Sequence, residues 1–369
     1  MPNSWITGKK GALAPLLAVL VLVAVYGFFQ FTFVECKRGF GKCRPFSAGH
    51  IFALNTSNPI NPTDNSVSGG DEEAKKRNRQ LIVEKYNGRV VWVFLVAVSA
   101  LLSVATFFAT YRLIYVSSSF RNESAATRST VFMGFSLLLG SLLFIFPRSY
   151  TPVMKDILEA TIAKDGQFGI PIVFETMNII NSLTYAAAFM LVFASCAIVL
   201  PRKSVAKADI KDDGAELNET DNLPEDASPE TVNKLATISE QMRDLRLVLY
   251  FGTFLLIIGV LRMSAVTQWT LAFISPENVE AARSFYITLA SVAGGFNSLI
   301  LAAVYLPAAY ILQKRAELFA KELPPVEQKE MLESKELTFS LKESLPRIIA
   351  ILGPLLVGPI GELFKKLPM

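Results

Sequence analysis

The residues best able to do chemistry are polar side chains inside long apolar runs. Arg262 lies within LIIGVLRMSAVTQW, away from either end of its apolar run. Two other apolar runs contain four further polar residues: Glu175, Asn178, Asn181 and Asn297. An arginine at membrane depth costs roughly 2.5 to 3.5 kcal/mol on insertion scales, so it normally faces the protein interior and pairs there. We therefore expect Arg262 to contact at least one of these four residues.

This intramembrane polar cluster has two interpretations. In the first, Glu175 or the asparagine amides satisfy the Arg262 guanidinium, and the cluster sets the register of neighbouring helices. In the second, the cluster lines a route or a binding site for an anion or a proton, because intramembrane charges often mark such pathways. The residue types leave both interpretations open.

A row of small hydroxyl residues follows one face of another apolar run. Ser99, Ser103, Thr106 and Thr110 recur at steps of four, three and four residues, which is the spacing of one helix face. Such rows usually let helices approach closely and exchange hydrogen bonds, and they can also line a pore.

The sequence lacks the common catalytic signatures. It contains no G-x-x-x-x-G-K-[ST] phosphate loop, no G-x-G-x-x-G, no H-E-x-x-H and no G-x-S-x-G. Its three cysteines and one histidine show no paired CxxC spacing, which argues against a metal site, and no cofactor is predicted. Cys36 and Cys43 can close a small disulfide loop on the oxidising side of a membrane, or they can remain two thiols.

The composition indicates that a bilayer is the solvent. The 369 residues are 51% hydrophobic and 18% charged, whereas soluble domains contain about 25% charged residues. About 20 helical residues cross a hydrocarbon core roughly 30 Å thick, and six apolar runs are long enough. They are residues 13–34, 90–116, 130–147, 172–200, 247–273 and 285–312. We predict an all-α, polytopic membrane protein with about six transmembrane helices.

The chain divides around these spans. The segments are an N-terminus with the first span (1–34), an extramembrane loop (35–89), spans two to four (90–200), an acidic loop with an amphipathic helix (201–246), spans five and six (247–312) and a cytoplasmic tail (313–369). Basic residues at 202–211 and 314–321 favour cytoplasmic termini in a bacterial inner (plasma) membrane. The basic first loop, taken alone, favours the opposite orientation.

Two helices are predicted beside the spans. A charged helix that follows Asp71 should end at Asn87-Gly88. A second helix should start at Ser228-Pro229-Glu230, since serine caps helices well and proline fits the first helical position. Its apolar stripe has helical spacing: Leu235, Ile238, Met242 and Leu245. The stripe packs on the protein itself, or it contacts a second copy or a partner.

The C-terminal tail contains an apolar run, 348–360, that is too short to cross a bilayer. Gly353-Pro354 and Gly358-Pro359 should break it. The run could lie in the interface, dip into the membrane, dock on a partner or pack on cytoplasmic helices of the same chain.

Three functional hypotheses follow. The first is a non-catalytic integral membrane protein that acts through assembly, as an oligomerising or partner-binding subunit. The alternative is a channel or transporter whose route passes Arg262, and the third is an intramembrane enzyme. The expected partners are the lipid bilayer and either further copies of the chain or a membrane complex. A net charge of only +4 gives no reason to expect nucleic acid.

Overall fold

The computed structural model describes residues 72–119, 125–145, 170–202, 229–274, 278–334, 337 and 341–363. Seven α-helices occupy these ranges: α1 (Glu72–Ser119), α2 (Ala125–Ile145), α3 (Ile170–Val199), α4 (Pro229–Leu271), α5 (Val279–Ala320), α6 (Pro325–Ser334) and α7 (Leu341–Leu363). The all-α prediction is confirmed for this part of the chain. The predicted span 13–34, the pair Cys36 and Cys43, and the acidic loop lie outside it.

Four of the described helices are long and apolar enough to cross a membrane, and we call them candidate spans. They are Tyr86–Ser117 in α1, Glu175–Val199 in α3, Glu230–Leu271 in α4 and Val279–Ala320 in α5. This result is compatible with an integral membrane protein. Within the described part of α2, the apolar stretch is the shorter Ser129–Leu139. The count of six spans therefore stays a prediction.

The helix predicted to end at Asn87-Gly88 instead continues without a break through α1 to Ser119. Gly88 lies against α4, where a Cβ atom on the glycine would come within 3.0 Å of Trp269 Cα. The Trp92 and Trp269 rings also contact each other, with centroids 5.7 Å apart. Glycine costs a helix about 1 kcal/mol, and this close contact between α1 and α4 offsets the cost.

The apolar stripe of α4 is buried within the same chain. Leu235, Ile238, Met242 and Leu245 belong to the main hydrophobic core, which also contains Leu323 and Leu337 from beyond α5. Thr231 donates a 2.8 Å hydrogen bond to Glu322 beside this contact. The four stripe side chains are at most 4% exposed, so they are covered by the chain itself and are not open to a partner. Internal packing, one of the two predicted roles, describes the stripe.

The prediction that Gly353-Pro354 and Gly358-Pro359 break the C-terminal apolar run is wrong. Helix α7 continues through both pairs as one helix of 23 residues. It packs on α4 and α5 within their apolar parts. Pro354 has no N–H and leaves the Ala350 carbonyl without its helical donor. Thr253 Oγ1 of α4 shares its hydrogen between that carbonyl, at 3.0 Å, and the Leu249 carbonyl of its own helix, at 2.8 Å. Backbone groups satisfied by neighbouring helices allow proline inside an apolar helix.

A glycine of α5 lets α7 approach closely. A Cβ atom at Gly294 would collide with the Pro354 carbonyl oxygen, and Ser298 Oγ, one turn further along α5, accepts a 3.2 Å hydrogen bond from Leu355 N. Gly294 therefore serves close helix packing, with α7 as the neighbour.

Candidate functional site

Arg262 lies on α4, nine residues before the candidate span ends at Leu271, and is only 6% exposed. Its Nη1 donates a 3.2 Å hydrogen bond to Ser99 Oγ of α1, and its Nη2 donates to Asn181 Oδ1 of α3. One guanidinium thus joins three helices. Its planar fork of donors suits this task, since two nitrogens can face different partners at once.

The other predicted members of the cluster are not brought to Arg262. Glu175 is exposed, and Asn178 and Asn297 are partly exposed. Among the described residues, no hydrogen bond or ion pair joins any of the three to Arg262. At about 100° per residue, Glu175 lies roughly 120° around α3 from Asn181. The face of α3 that meets α4 is therefore the Asn181 face.

The hydroxyl row of α1 continues from Arg262 as a buried polar seam. We use this name for seven residues, all buried except the partly exposed Asn181: Arg262, Asn181, Ser99, Ser103, Thr106, Thr110 and Ser117. The five α1 hydroxyl residues are 0% exposed, so they lie between helices. Ser103 Oγ and Thr184 Oγ1 of α3 form a 3.2 Å hydrogen bond. Thr110 bonds back to its own helix, at 2.7 Å from the Thr106 carbonyl.

The far end of the seam is closed by an ion pair. Arg202 Nη2 donates to Ser117 Oγ at 3.0 Å and to Asp244 Oδ2 at 2.8 Å. The Arg202 and Asp244 side chains are only 2% and 15% exposed. In the sequence analysis, Arg202 contributed only to the predicted orientation of the protein in the membrane. Its partner is 42 residues away, so no local pattern could have identified the pair.

Two further side chains cap the C-terminal end of α3 next to this ion pair. Gln241 Nε2 donates to the carbonyls of Ile198 and Leu200, and Arg315 Nη1 donates to the carbonyl of Val199. The last carbonyls of a helix have no partners inside it, and a cation is favourable at that negative end. The α3 terminus is therefore held by α4 and α5.

The seam therefore consists of one buried cation, the Arg262 guanidinium, its neutral partners Asn181 and Ser99, and a row of further hydroxyl groups. Such a set can tie helices together or, if it opens, can coordinate a small anion or pass a proton. No group of three or more His, Cys, Asp or Glu residues is placed to hold a metal ion in the described ranges. Comparisons with protein-family models, with curated proteins and with solved structures found no match.

Proposed function

We propose that this protein is a non-catalytic membrane subunit that works by assembling with further copies of itself. The observation that carries the proposal is that the polar groups of the seam bond to one another between helices. The Arg262 guanidinium bonds to side chains of two neighbouring helices, and the α1 hydroxyls are buried between helices. This arrangement is typical of helix packing and favours an architectural role.

The helices that the seam joins also reach well beyond a bilayer. α4 contains 43 residues, which is about 64 Å of helix, roughly twice the 30 Å of a hydrocarbon core. Arg262 ties it to α1 and α3 in the membrane, and the Arg202–Asp244 pair ties it again nearer its N-terminus. A rigid set of long helices suits a subunit that presents surfaces to others.

Among the described residues, an exposed face of α1 is suited to self-assembly. Phe94, Leu101, Phe108 and Tyr115 recur every seven residues, and all four are exposed, with Leu101 at 72%. Val90 and Val104 each precede one of them by four residues and are exposed too. A seven-residue apolar repeat is the pattern by which two helices pair in a left-handed crossing. We call these residues the α1 heptad face and propose that it meets the same face of a second copy.

Cross-linking in native membranes tests this function. In a full-length background with Cys36, Cys43 and Cys196 changed to serine, Leu101→Cys should give an oxidant-dependent dimer. Leu299→Cys is the matched control, because Leu299 is an exposed leucine on α5, outside the heptad face. The yield of cross-linked dimer from Leu101→Cys should be at least several times the yield from Leu299→Cys. Equal yields, or cross-links only to other proteins, would reject self-assembly through this face.

The second candidate function is a route for protons or a small anion along the seam. It is suggested by one seam hydroxyl that has no hydrogen-bond partner among the described residues. The buried Thr106 Oγ1 has no hydrogen bond to any described residue, and a buried hydroxyl of this kind normally has one. If the seam conducts, purified protein in liposomes should pass protons or chloride, and both Thr106→Val and Arg262→Met should reduce the flux. Absence of flux from the unmodified protein would remove this candidate.

A further inference from the structure

Helix α7 has its two faces reversed relative to a helix on the surface of a soluble protein. Between residues 347 and 357, the buried side chains are Arg347, Ala350 and Pro354, which recur at steps of three and four residues. A surface helix in water turns its polar residues outward. Every exposed side chain in this stretch is instead large and apolar, and we call the set the α7 outer face: Ile348, Ile349, Leu352, Leu355 and Leu356. Such a face needs an apolar neighbour.

The contact between α7 and α5 lies in the middle of a candidate span. Ser298 Oγ of α5 accepts a 3.2 Å hydrogen bond from the main-chain N–H of Leu355. Ser298 lies 15 residues after Arg283 and 16 residues before Lys314, and no acidic or basic residue lies between these two. Both charges are therefore about 22–24 Å of helix rise away, which is more than half of a roughly 30 Å hydrocarbon core. Leu355 thus lies at the depth of the membrane interior.

The contacts of α7 also extend along the axis of the bundle. α7 packs against α5 about as extensively as the much longer α4 does, and it packs along α4 as well. Helices that cross steeply touch over only one or two turns, so a long contact requires nearly aligned axes. On α4, a Cβ atom at Gly353 would lie 3.1 Å from Ile257 Cδ1 and 3.2 Å from Thr253 Cγ2, which are one turn apart. α7 therefore follows the spans, whereas a helix in the plane of the membrane interface would cross them.

The sequence of α7 is compatible with insertion from one side. Arg347 and Glu362 are separated by fourteen uncharged residues, which correspond to about 21 Å of helix and so reach past the middle of a hydrocarbon core. Pro354 removes one N–H in this stretch, and Thr253 of α4 donates to the freed Ala350 carbonyl at 3.0 Å. A backbone carbonyl in lipid needs such a donor, because no water is present to supply one.

The neighbouring helices continue the same apolar surface. Phe254 of α4 follows Thr253 and is exposed, and Val292 and Leu299 of α5, before and after Gly294 in the sequence, are exposed too. All three lie in candidate spans, where exposed apolar side chains meet lipid tails of the same polarity. The α7 outer face therefore joins a surface that faces lipid, which identifies acyl chains as its neighbour.

We infer that residues 348–357 of α7 are inserted in the hydrocarbon core beside α4 and α5, and that the α7 outer face contacts the acyl chains of phospholipids. Among the roles predicted for the C-terminal apolar run, this inference selects entry into the membrane. It rests on the membrane location that the candidate spans support. It does not depend on self-assembly through the α1 heptad face, which is on another helix.

Electron paramagnetic resonance of single nitroxide labels tests the inference in the full chain, reconstituted in phosphatidylcholine liposomes. The labels are attached to Ile348→Cys, Leu352→Cys and Leu356→Cys in a background with the three native cysteines changed to serine. Oxygen dissolves in acyl chains, and a nickel chelate stays in water. The ratio of oxygen to nickel collisions should be severalfold higher at each α7 label than at an aqueous control, and it should rise from Ile348 to Leu356, which lies about 12 Å further along the helix.

Two matched positions set the scale. Phe254→Cys is the lipid reference, because Phe254 is exposed on α4 next to the α7 contact, and its ratio should resemble that of Leu352→Cys. Glu330→Cys is the aqueous reference, because Glu330 is exposed on the charged helix α6.

Three results would overturn the inference. Ratios at α7 equal to the ratio at Glu330 would place the outer face in water, and equal ratios at all three α7 labels would place the helix flat in the interface. Few collisions with either reagent would show that protein, either a second copy or a partner, covers the face. If a labelled variant loses its melting transition in detergent, Ile349→Cys and Leu355→Cys provide the same comparison over about 9 Å.

Discussion

Thr253 of α4 donates a 3.0 Å hydrogen bond to the main-chain carbonyl of Ala350, the carbonyl that Pro354 leaves without a helical donor. Thr253→Val should therefore strand a buried carbonyl and lower the free energy of unfolding by about 1–3 kcal/mol. Thermal or denaturant unfolding in detergent measures the change. Thr288→Val is the control, because Thr288 is exposed and bonds only to its own helix, at Ser284.

A double-mutant cycle makes this prediction specific. Pro354→Ala restores an N–H that the Ala350 carbonyl can accept, so Thr253→Val should cost less in the Pro354→Ala background than in the unmodified chain. If the two costs are equal, the hydroxyl does not replace the donor that the proline removes.

Gly294→Ala should disrupt the packing of α7 on α5. The new Cβ atom would collide with the Pro354 carbonyl oxygen, and neither backbone can move without repacking. Overpacking of this kind costs about 1–3 kcal/mol. Gly259→Ala makes the same change on α4 where no atom lies within 4 Å, so its stability should be unchanged or slightly higher. Melting temperatures, together with the protease sensitivity of residues 341–363, compare the two variants.

Arg262→Met should destabilise the protein, because Asn181 and Ser99 then lose their buried donor. Pairing it with Asn181→Leu should recover part of the loss, since replacing both members of a buried polar pair costs less than stranding one. Glu175→Gln should have no effect on stability, because Glu175 is exposed and does not contact Arg262. Chemical unfolding of these three variants, and of Asn181→Leu alone, checks this, and equal losses of stability from Glu175→Gln and Asn181→Leu would contradict it.

The Arg202–Asp244 ion pair should be worth much more than the surface pairs of α4. Asp244→Asn leaves the buried Arg202 without its 2.8 Å carboxylate partner, with the more exposed Glu240 at 3.8 Å, and should cost up to about 3 kcal/mol. Lys234→Met breaks the exposed Lys234–Glu230 pair on the same helix, at 2.8 Å, and should leave stability nearly unchanged, because solvent screens exposed ion pairs. Denaturant unfolding measures the loss of unfolding free energy caused by Asp244→Asn and by Lys234→Met, and the two losses are compared. Comparable values would mean that solvent reaches Arg202.

The orientation of the bundle can be tested at the two ends of the candidate spans. Glu240 and Glu280 are exposed and lie at opposite ends of the α4–α5 pair. With the termini cytoplasmic, a membrane-impermeant maleimide should label Glu280→Cys in intact cells and label Glu240→Cys only after permeabilisation. The background lacks the three native cysteines. The reverse labelling pattern would invert the topology and remove the reason for a Cys36–Cys43 disulfide.

Local features of the sequence determined the helices. Runs of about 20 apolar residues identify helices because a backbone in lipid must satisfy its own hydrogen bonds, and four predicted spans coincide with described candidate spans. The start of α4 at Pro229 also followed from local chemistry, since a missing N–H costs nothing at the first helical position. The burial of Arg262 was predictable from the cost of a charge in lipid.

Only the tertiary structure decided which groups meet. Whether Glu175 or Asn181 faces Arg262 depends on the rotation of α3 about its axis, and periodicity does not specify that rotation. Gly353-Pro354 predicts a break when read locally, but Thr253 satisfies the freed carbonyl from another helix. Leu235 and Ile238 form an apolar stripe in any context, and their packing in the core of the same chain decides that they are buried. These outcomes depend on contacts between residues that are distant in sequence, where burial of apolar surface and satisfaction of backbone groups override local propensity.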